Sequence, residues 1–200
     1  FSSISHMGYI LLGVGFALTF RESAQNSLGI FSHIFNHALM KGLAFLSSGA
    51  LVYCLKISNG NHEPLHMEDL NGASKRYPVF ALSLSIAALA LSGLPLFSGF
   101  MSKWLILAGG AISQKPWILF FLVLAAFNSV LSLGHYAPMI NRMYRHTMNT
   151  EIAFSTPKYI STMNIFIIAL CLMIILFGLF PSLTQGLTQL ASESFYAMFY

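Results

Sequence analysis

The chain has 200 residues, of which 56% are hydrophobic and only 8% are charged, and its mean hydropathy is +0.70. Soluble chains carry about 25% charged residues, so this composition excludes a globular enzyme with a solvated surface. Long apolar runs, rather than short alternating strands, favour helices over a membrane barrel. The sequence therefore predicts an all-α integral membrane protein.

The formal net charge of +4 comes from ten Lys and Arg against six Asp and Glu. In a membrane protein such an excess reflects loop residues that set topology, so we expect no nucleic acid partner. Cys54 and Cys171 lie in apolar stretches and predict no disulfide. The first residues, from Phe1, show no leader pattern, which favours a fragment of a longer protein.

Six apolar segments are predicted to cross the bilayer, whose core requires about 20 helical residues. In chain order they cover residues 5–20, 30–55, 79–95, 97–113, 117–141 and 163–181. Two segments richer in charge, 56–78 and 142–162, are predicted to be aqueous loops, and residues 182–200 an interfacial helix. Together these segments form a single membrane domain.

The apolar run from residue 79 to residue 112 is too long for one continuous crossing. As one helix its residues would extend about 51 Å, against a hydrocarbon core of about 30 Å. Gly93, Pro95 and Gly99 supply the helix breakers, so we predict two crossings joined or interrupted there.

With six crossings the loop Lys and Arg residues divide evenly between the two sides of the membrane, which leaves the orientation of the chain undecided. A single crossing of this run would divide them six against two.

Lys41 lies in the middle of an apolar segment, where a charged side chain is costly and normally faces a protein interior or a hydrated cavity. His33 and His37 precede it at intervals of four residues, so the three side chains share one helix face. Water can bridge the gaps of about 6 Å between them, which predicts a proton relay. Two alternatives remain: packing histidines with a Lys41 that extends to the interface, or histidines that bind a metal or haem.

Lys103 follows directly after the predicted helix break. Discontinuous membrane helices expose unpaired backbone groups, and they are tolerated where they line a cavity or an ion site. Burial disfavours the charged amine, which makes such a lysine suited to taking up and releasing a proton. The alternative is a lysine at a helix end near the membrane interface.

The remaining polar residues give weaker signals. His6 and His135 are interpreted either as extensions of the relay or as packing residues. Asn128 with Ser129 and Ser132 is typical of hydrogen bonding between membrane helices. The histidines of the loop, His62 and His66, are expected to be solvated, and no metal site is predicted.

Four motifs stand in order over about 100 residues. They are Ser3-Ile4-Ser5-His6-Met7-Gly8-Tyr9; the pattern His-x-x-x-His-x-x-x-Lys-Gly-Leu-x-Phe-Leu-x-Ser-Gly that begins at His33; Asp69-Leu70-Asn71-Gly72 before Pro78; and Ser92-Gly93-Leu94-Pro95 through Gly99-Phe100-Met101-Ser102-Lys103. Together these motifs resemble the antiporter-like subunits of complex I, of membrane-bound hydrogenases and of multisubunit Na⁺/H⁺ antiporters. The last 90 residues agree only in hydropathy and over 128–144.

The resemblance implies the C-terminal half of a subunit of roughly 14 helices, with six crossings, one of them discontinuous. It implies that Lys41 relays protons through hydrated histidines, and that Lys103 acts at the half-channel to the opposite face. The chain's end would face outward. The family's other half, with its buried Glu and partner Lys, lies outside this sequence.

The function implied by the resemblance is proton translocation in a redox-driven pump, within an energy-transducing membrane of a bacterium or archaeon. We expect no cofactor on this chain, whereas partner membrane subunits would carry flavin, iron–sulfur or quinone sites. Two alternatives stay open: a Na⁺/H⁺ antiporter without redox coupling, and a passive scaffold whose lysines pair with acidic groups of neighbouring subunits.

Overall fold

The computed structural model describes residues 2–19, 24–59, 66–112, 115–145 and 160–199. Within these ranges the chain is helical and contains no strand, which confirms the predicted all-α integral membrane fold. A short 3₁₀ helix covers Met67–Leu70. The α-helices are α1 (Ser2–Thr19), α2 (Ala24–Asn59), α3 (Ala73–Arg76), α4 (Pro78–Ser92), α5 (Ser98–Ala111), α6 (Pro116–Tyr144), α7 (Ile160–Leu179) and α8 (Pro181–Phe199).

Among the described residues, three helices are long and apolar enough to cross a membrane by themselves. They are α1, α6 and the Ser27–Lys56 part of α2. A fourth candidate is the pair α7 and α8, which is bent by 89° where the two helices join. The predicted segments 30–55 and 117–141 thus lie inside long helices, as does 5–20 except for residue 20, which lies outside the described residues. The segment 163–181 covers α7 from residue 163 onward and reaches the first residue of α8.

The segments 79–95 and 97–113, predicted to be two crossings, correspond to α4 and α5. With 15 and 14 residues, α4 and α5 are about 22 Å and 21 Å long, too short for a core of about 30 Å. Both run antiparallel to α2. Near the end of α2, Tyr77 donates a hydrogen bond to the Cys54 carbonyl at 3.2 Å. Further toward its start, Asn36 donates to the Ser98 carbonyl at 3.0 Å. The two short helices therefore follow one another along α2, with the break between them.

The core lies where α2, α4 and α7 meet. Small residues on α4, such as Ala81 and Ala87, are fully buried and let the larger side chains of its neighbours approach closely. On α6, by contrast, large apolar side chains point outward, as expected for a helix that faces lipid or another subunit. Those more than half exposed include Leu119, Phe120, Phe127, Val130 and Leu131.

The last helix packs against the first half of α2 through hydroxyl groups. Ser192 pairs with Ser27 at 2.7 Å, and Thr188 pairs with Ser32 at 3.0 Å. All four side chains are buried. The described part of the segment 182–200, predicted to be an interfacial helix, belongs to α8 and is therefore joined to α2 by a polar seam. Such contacts associate helices in a membrane.

Candidate proton-relay site

Lys103 is buried, with 4% of its surface exposed, and all three of its ammonium hydrogens have acceptors. Nζ donates to the carbonyls of Leu91 and Ser92, at 3.1 Å and 3.2 Å, and to the Ser129 hydroxyl at 3.2 Å. The ring of Tyr9 covers the same nitrogen at 4.8 Å from its centroid. The buried ammonium group of Lys103 is therefore surrounded by three hydrogen-bond acceptors and an aromatic ring.

The two carbonyls are available because α4 ends at Ser92. The last carbonyls of a helix lack intrahelical partners, and the helix dipole makes this end attractive to cations. Gly93 ends the helix with φ of 84°, a left-handed conformation that glycine adopts without strain. Leu96 also has a positive φ, 81°, in the connection before α5. The break therefore supplies the acceptors that hold the lysine.

The predicted helix-break residues have different positions. Gly93 and Pro95 lie at or between the helix ends, and Pro95 is exposed. Gly99 is instead the second residue of α5, where it packs against the Ala90 carbonyl so closely that a Cβ atom would lie 2.1 Å from the oxygen. Gly99 thus allows α4 and α5 to approach each other.

Three histidines from two helices form one buried cluster beside α5. His6 Nδ1 lies 3.1 Å from His33 Nε2, and His33 Nδ1 lies 2.9 Å from the Ser102 hydroxyl. The ring of His37 stacks on His6 with 4.5 Å between centroids. His33 has no exposed surface, and the buried His37 Nδ1 has no hydrogen-bond partner among the described residues. The cluster ends at Ser102, the residue before Lys103.

Lys41 lies one helical turn beyond His37 and is half-buried. Its Nζ lies 5.5 Å from the centroid of the Phe45 ring, on its own helix. The structure therefore places Lys41 at the edge of the histidine cluster, in a more open position than Lys103.

His135 is separate from this cluster. It is exposed on α6 and contacts the ring of Tyr136 at 5.6 Å. In the part of the chain that the structure describes, no group of three His, Cys, Asp or Glu side chains could hold a metal ion. His66 is exposed, and His62 lies outside the described residues.

The sequence did not reveal two of the contacts around Lys103. In the sequence, Tyr9 is part of a motif and Ser129 belongs to a group typical of contacts between helices. Neither pattern predicts that both side chains contact the Lys103 amine. Tyr9 is 94 residues and Ser129 is 26 residues from Lys103 along the chain. No helical periodicity links positions on different helices; only the packing brings them together.

A family model described as "NADH:quinone oxidoreductase/Mrp antiporter, TM" matches residues 1–132, well over half of the sequence. The chain belongs to this family. The matched part of this antiporter-like subunit contains the histidine cluster, both lysines, Tyr9 and Ser129, whereas His135 and α7 and α8 lie beyond it. The resemblance predicted from the motifs is confirmed.

Individual relatives agree with this assignment. NADH-quinone oxidoreductase subunit N 1 of Sorangium cellulosum is 29% identical over 187 residues, which are 94% of this chain and 35% of the relative. F(420)H(2) dehydrogenase subunit N of Methanosarcina mazei is 32% identical over 147 residues, 72% of this chain and 28% of the relative. The antiporter-like subunit thus spans about a third of the length of these curated relatives.

A solved structure shows the same fold. A chain of the Mrp complex from Dietzia sp. DQ12-45-1b matches with a TM-score of 0.75 at 18% sequence identity, and the match covers 98% of this chain and 41% of that one. With relatives among bacteria and archaea, the antiporter-like subunit is an integral membrane protein of a bacterial or archaeal membrane. That it binds no cofactor itself stays a prediction.

Proposed function

We propose that this antiporter-like subunit carries protons across the membrane through Lys41, the histidine cluster and Lys103. The observation that supports this most strongly is the environment of Lys103. Lys103 places a protonatable amine at a helix break, and its neighbour in the sequence, Ser102, contacts the buried His33 of a second helix. A structural ion pair would require an acidic partner, whereas the described contacts of Lys103 are carbonyls, a hydroxyl and a ring.

The cluster offers a proton route between α2 and α5. A neutral imidazole can accept a proton at one ring nitrogen and release one from the other. One hydrogen bond joins His6 Nδ1 to His33 Nε2, and a second joins His33 Nδ1 to the Ser102 hydroxyl. Water would bridge the step from Lys41 to His37, because the two side chains are one helical turn apart. Water would also have to bridge the steps from His37 to the other two histidines and from Ser102 to the Lys103 amine. A proton entering at Lys41 would then reach the break at Lys103.

If α4 and α5 together form one interrupted crossing, the positive residues indicate how the chain is oriented in the membrane. The end of α2, the short helix α3 and the end of α6 meet at one end of the bundle. The described cations there are Lys56, Lys75, Arg76, Arg142 and Arg145, whereas Lys115 lies at the opposite end. Positive loop residues face the cytoplasm. We therefore assign this end to the inner side and the end of α8 to the outer side.

The proposal includes partners. The chain spans about a third of its relatives' length, and it would work with other membrane subunits and with lipid around α6. Electron transfer would belong to partner subunits that carry flavin, iron–sulfur or quinone sites. The transported ion is the proton. Sodium exchange without redox coupling is the competing outcome.

The test uses the complete complex in sealed vesicles, with its electron donor supplied. Lys41→Ala and Lys103→Ala should each lower the number of protons moved per electron, while electron transfer continues in uncoupled form. Lys56→Ala, which removes an exposed lysine at the end of α2, is the control and should leave this ratio unchanged. An unchanged ratio in both variants would refute the proposal. Sodium-dependent proton flux without an electron donor would instead indicate an antiporter.

A further inference from the structure

Tyr9 and Ser129 contact the Lys103 amine in addition to the carbonyls of the helix break. Ser129 Oγ lies 3.2 Å from Lys103 Nζ and 2.9 Å from the Tyr9 hydroxyl. The Tyr9 hydroxyl also donates a hydrogen bond to the Ala125 carbonyl, and the Tyr9 ring covers Nζ. One tyrosine of α1 thus reaches the lysine of α5 in two ways, through its ring and through a serine of α6.

The hydrogen bonds of this group run in one direction. A carbonyl accepts only, so the Tyr9 hydroxyl donates to Ala125 and its oxygen is left to accept from Ser129. The Ser129 oxygen is then free to accept from the Lys103 ammonium, which only donates. Each donor is therefore aligned away from the positive charge. This alignment, like the π face of the ring, stabilises a charged amine more than a neutral one.

We propose that Tyr9 is a positioning residue for Lys103: its ring, and its hydroxyl acting through Ser129, hold the charged amine against the carbonyls of Leu91 and Ser92. The inference rests on the proposed part of Lys103 in proton transfer. When the amine gives up its proton, it loses the attraction of the ring and one of its donors. Its contacts with the helix break then weaken, so that proton release frees the side chain from α4.

Two substitutions at Tyr9 separate the ring from the hydroxyl. Tyr9→Phe keeps the ring and removes the hydroxyl, and we expect proton transport to fall about threefold. Tyr9→Leu removes both, and we expect a loss of about tenfold, since both the cation–π contact and the aligned hydroxyl are gone. Tyr53→Phe, which changes an exposed tyrosine of α2, is the matched control and should transport normally.

Substitutions at Ser129 test the hydroxyl connection alone. Ser129→Ala should match Tyr9→Phe, because either change interrupts the same chain of hydrogen bonds, and Ser129→Thr should restore transport. Ser132→Ala is the control on the same helix; the Ser132 hydroxyl bonds to the Asn128 carbonyl, not to the lysine. Full transport in Tyr9→Leu and Ser129→Ala would overturn the inference.

A spectroscopic measurement separates positioning from general packing. In the complete complex with ¹⁵N-labelled lysine, the Nζ signal that disappears in Lys103→Ala is assigned to Lys103. That signal should shift in Tyr9→Phe and in Ser129→Ala but not in the two controls. If Lys103→Ala pumps normally while the shifts occur, the proposed function fails and the positioning stands. If the signal does not move in either variant, Tyr9 does not position the lysine.

Discussion

Lys103 and Lys41 are both lysines within apolar helices, but the structure holds them differently. Lys103 has three hydrogen-bond acceptors and a covering ring, and two of those acceptors exist because a helix ends beside it. Lys41 lies in the uninterrupted helix α2, is half-buried and contacts the Phe45 ring. In an intact helix the carbonyls are already paired. A helix break therefore provides a ready cation site that a regular helix cannot provide.

This comparison predicts a difference in chemical rescue. Lys41→Ala and Lys103→Ala should each reduce proton transport by about a hundredfold, the range in which a positioned acid or base contributes. Methylammonium added to the medium should restore part of the transport in Lys41→Ala, because that side chain is accessible, but not in Lys103→Ala. Equal rescue of both variants, measured as proton flux against amine concentration, would show that the two lysines do not differ in access.

Within the histidine cluster, His33 should matter more than His37. His33 makes hydrogen bonds to both His6 and Ser102, whereas His37 joins the cluster by stacking. His33→Leu is expected to lower proton transport about tenfold or more, since it removes the hydrogen bonds through which the His33 ring joins His6 to Ser102. His37→Leu should cause a smaller loss, and the exposed His135→Leu none. A larger loss from His37→Leu would mean that stacking or water, not the direct contacts, defines the route.

The close packing of α4 on α5 predicts a loss of stability. Gly99→Ala would place a Cβ atom 2.1 Å from the Ala90 carbonyl oxygen, and the two helices would have to separate. We expect the free energy of unfolding to fall by about 1–3 kcal/mol, the usual cost of overpacking. Gly49→Ala is the control, because no atom lies within 4 Å of its added Cβ. Thermal unfolding in detergent compares the two; equal midpoints would contradict the packing of the break.

The polar seam between α2 and α8 should give the smallest effect. Ser192→Ala removes the partner of Ser27, and hydrogen bonds between membrane helices contribute about 0.6 kcal/mol on average. We expect a slight fall in thermal stability and unchanged proton transport, because Ser27 lies 14 positions before Lys41 on α2. Loss of transport in this variant would show that the seam belongs to the proton route.

The sequence predicted those features that follow from local chemistry. These features are a lysine in an apolar run, histidines at intervals of four residues and a Gly-x-Pro break. Each can be interpreted from the residues of one segment alone. The sequence did not predict that α4 and α5 follow one another along α2, because a long apolar run with breakers is compatible with other arrangements. Nor did it assign His6 to the cluster, or Tyr9 and Ser129 to the lysine. Those contacts join different helices and depend on how the helices pack.

The most direct test of the account is a pH titration of the Lys103 amine itself. In the complete complex labelled with ¹⁵N-lysine, the Lys103 Nζ signal should change between its charged and neutral forms over the pH range in which the complex transports protons. A Lys103 that stays fully charged throughout that range, or that titrates together with the exposed lysines, would contradict the claim that this buried amine gains and loses the transported proton.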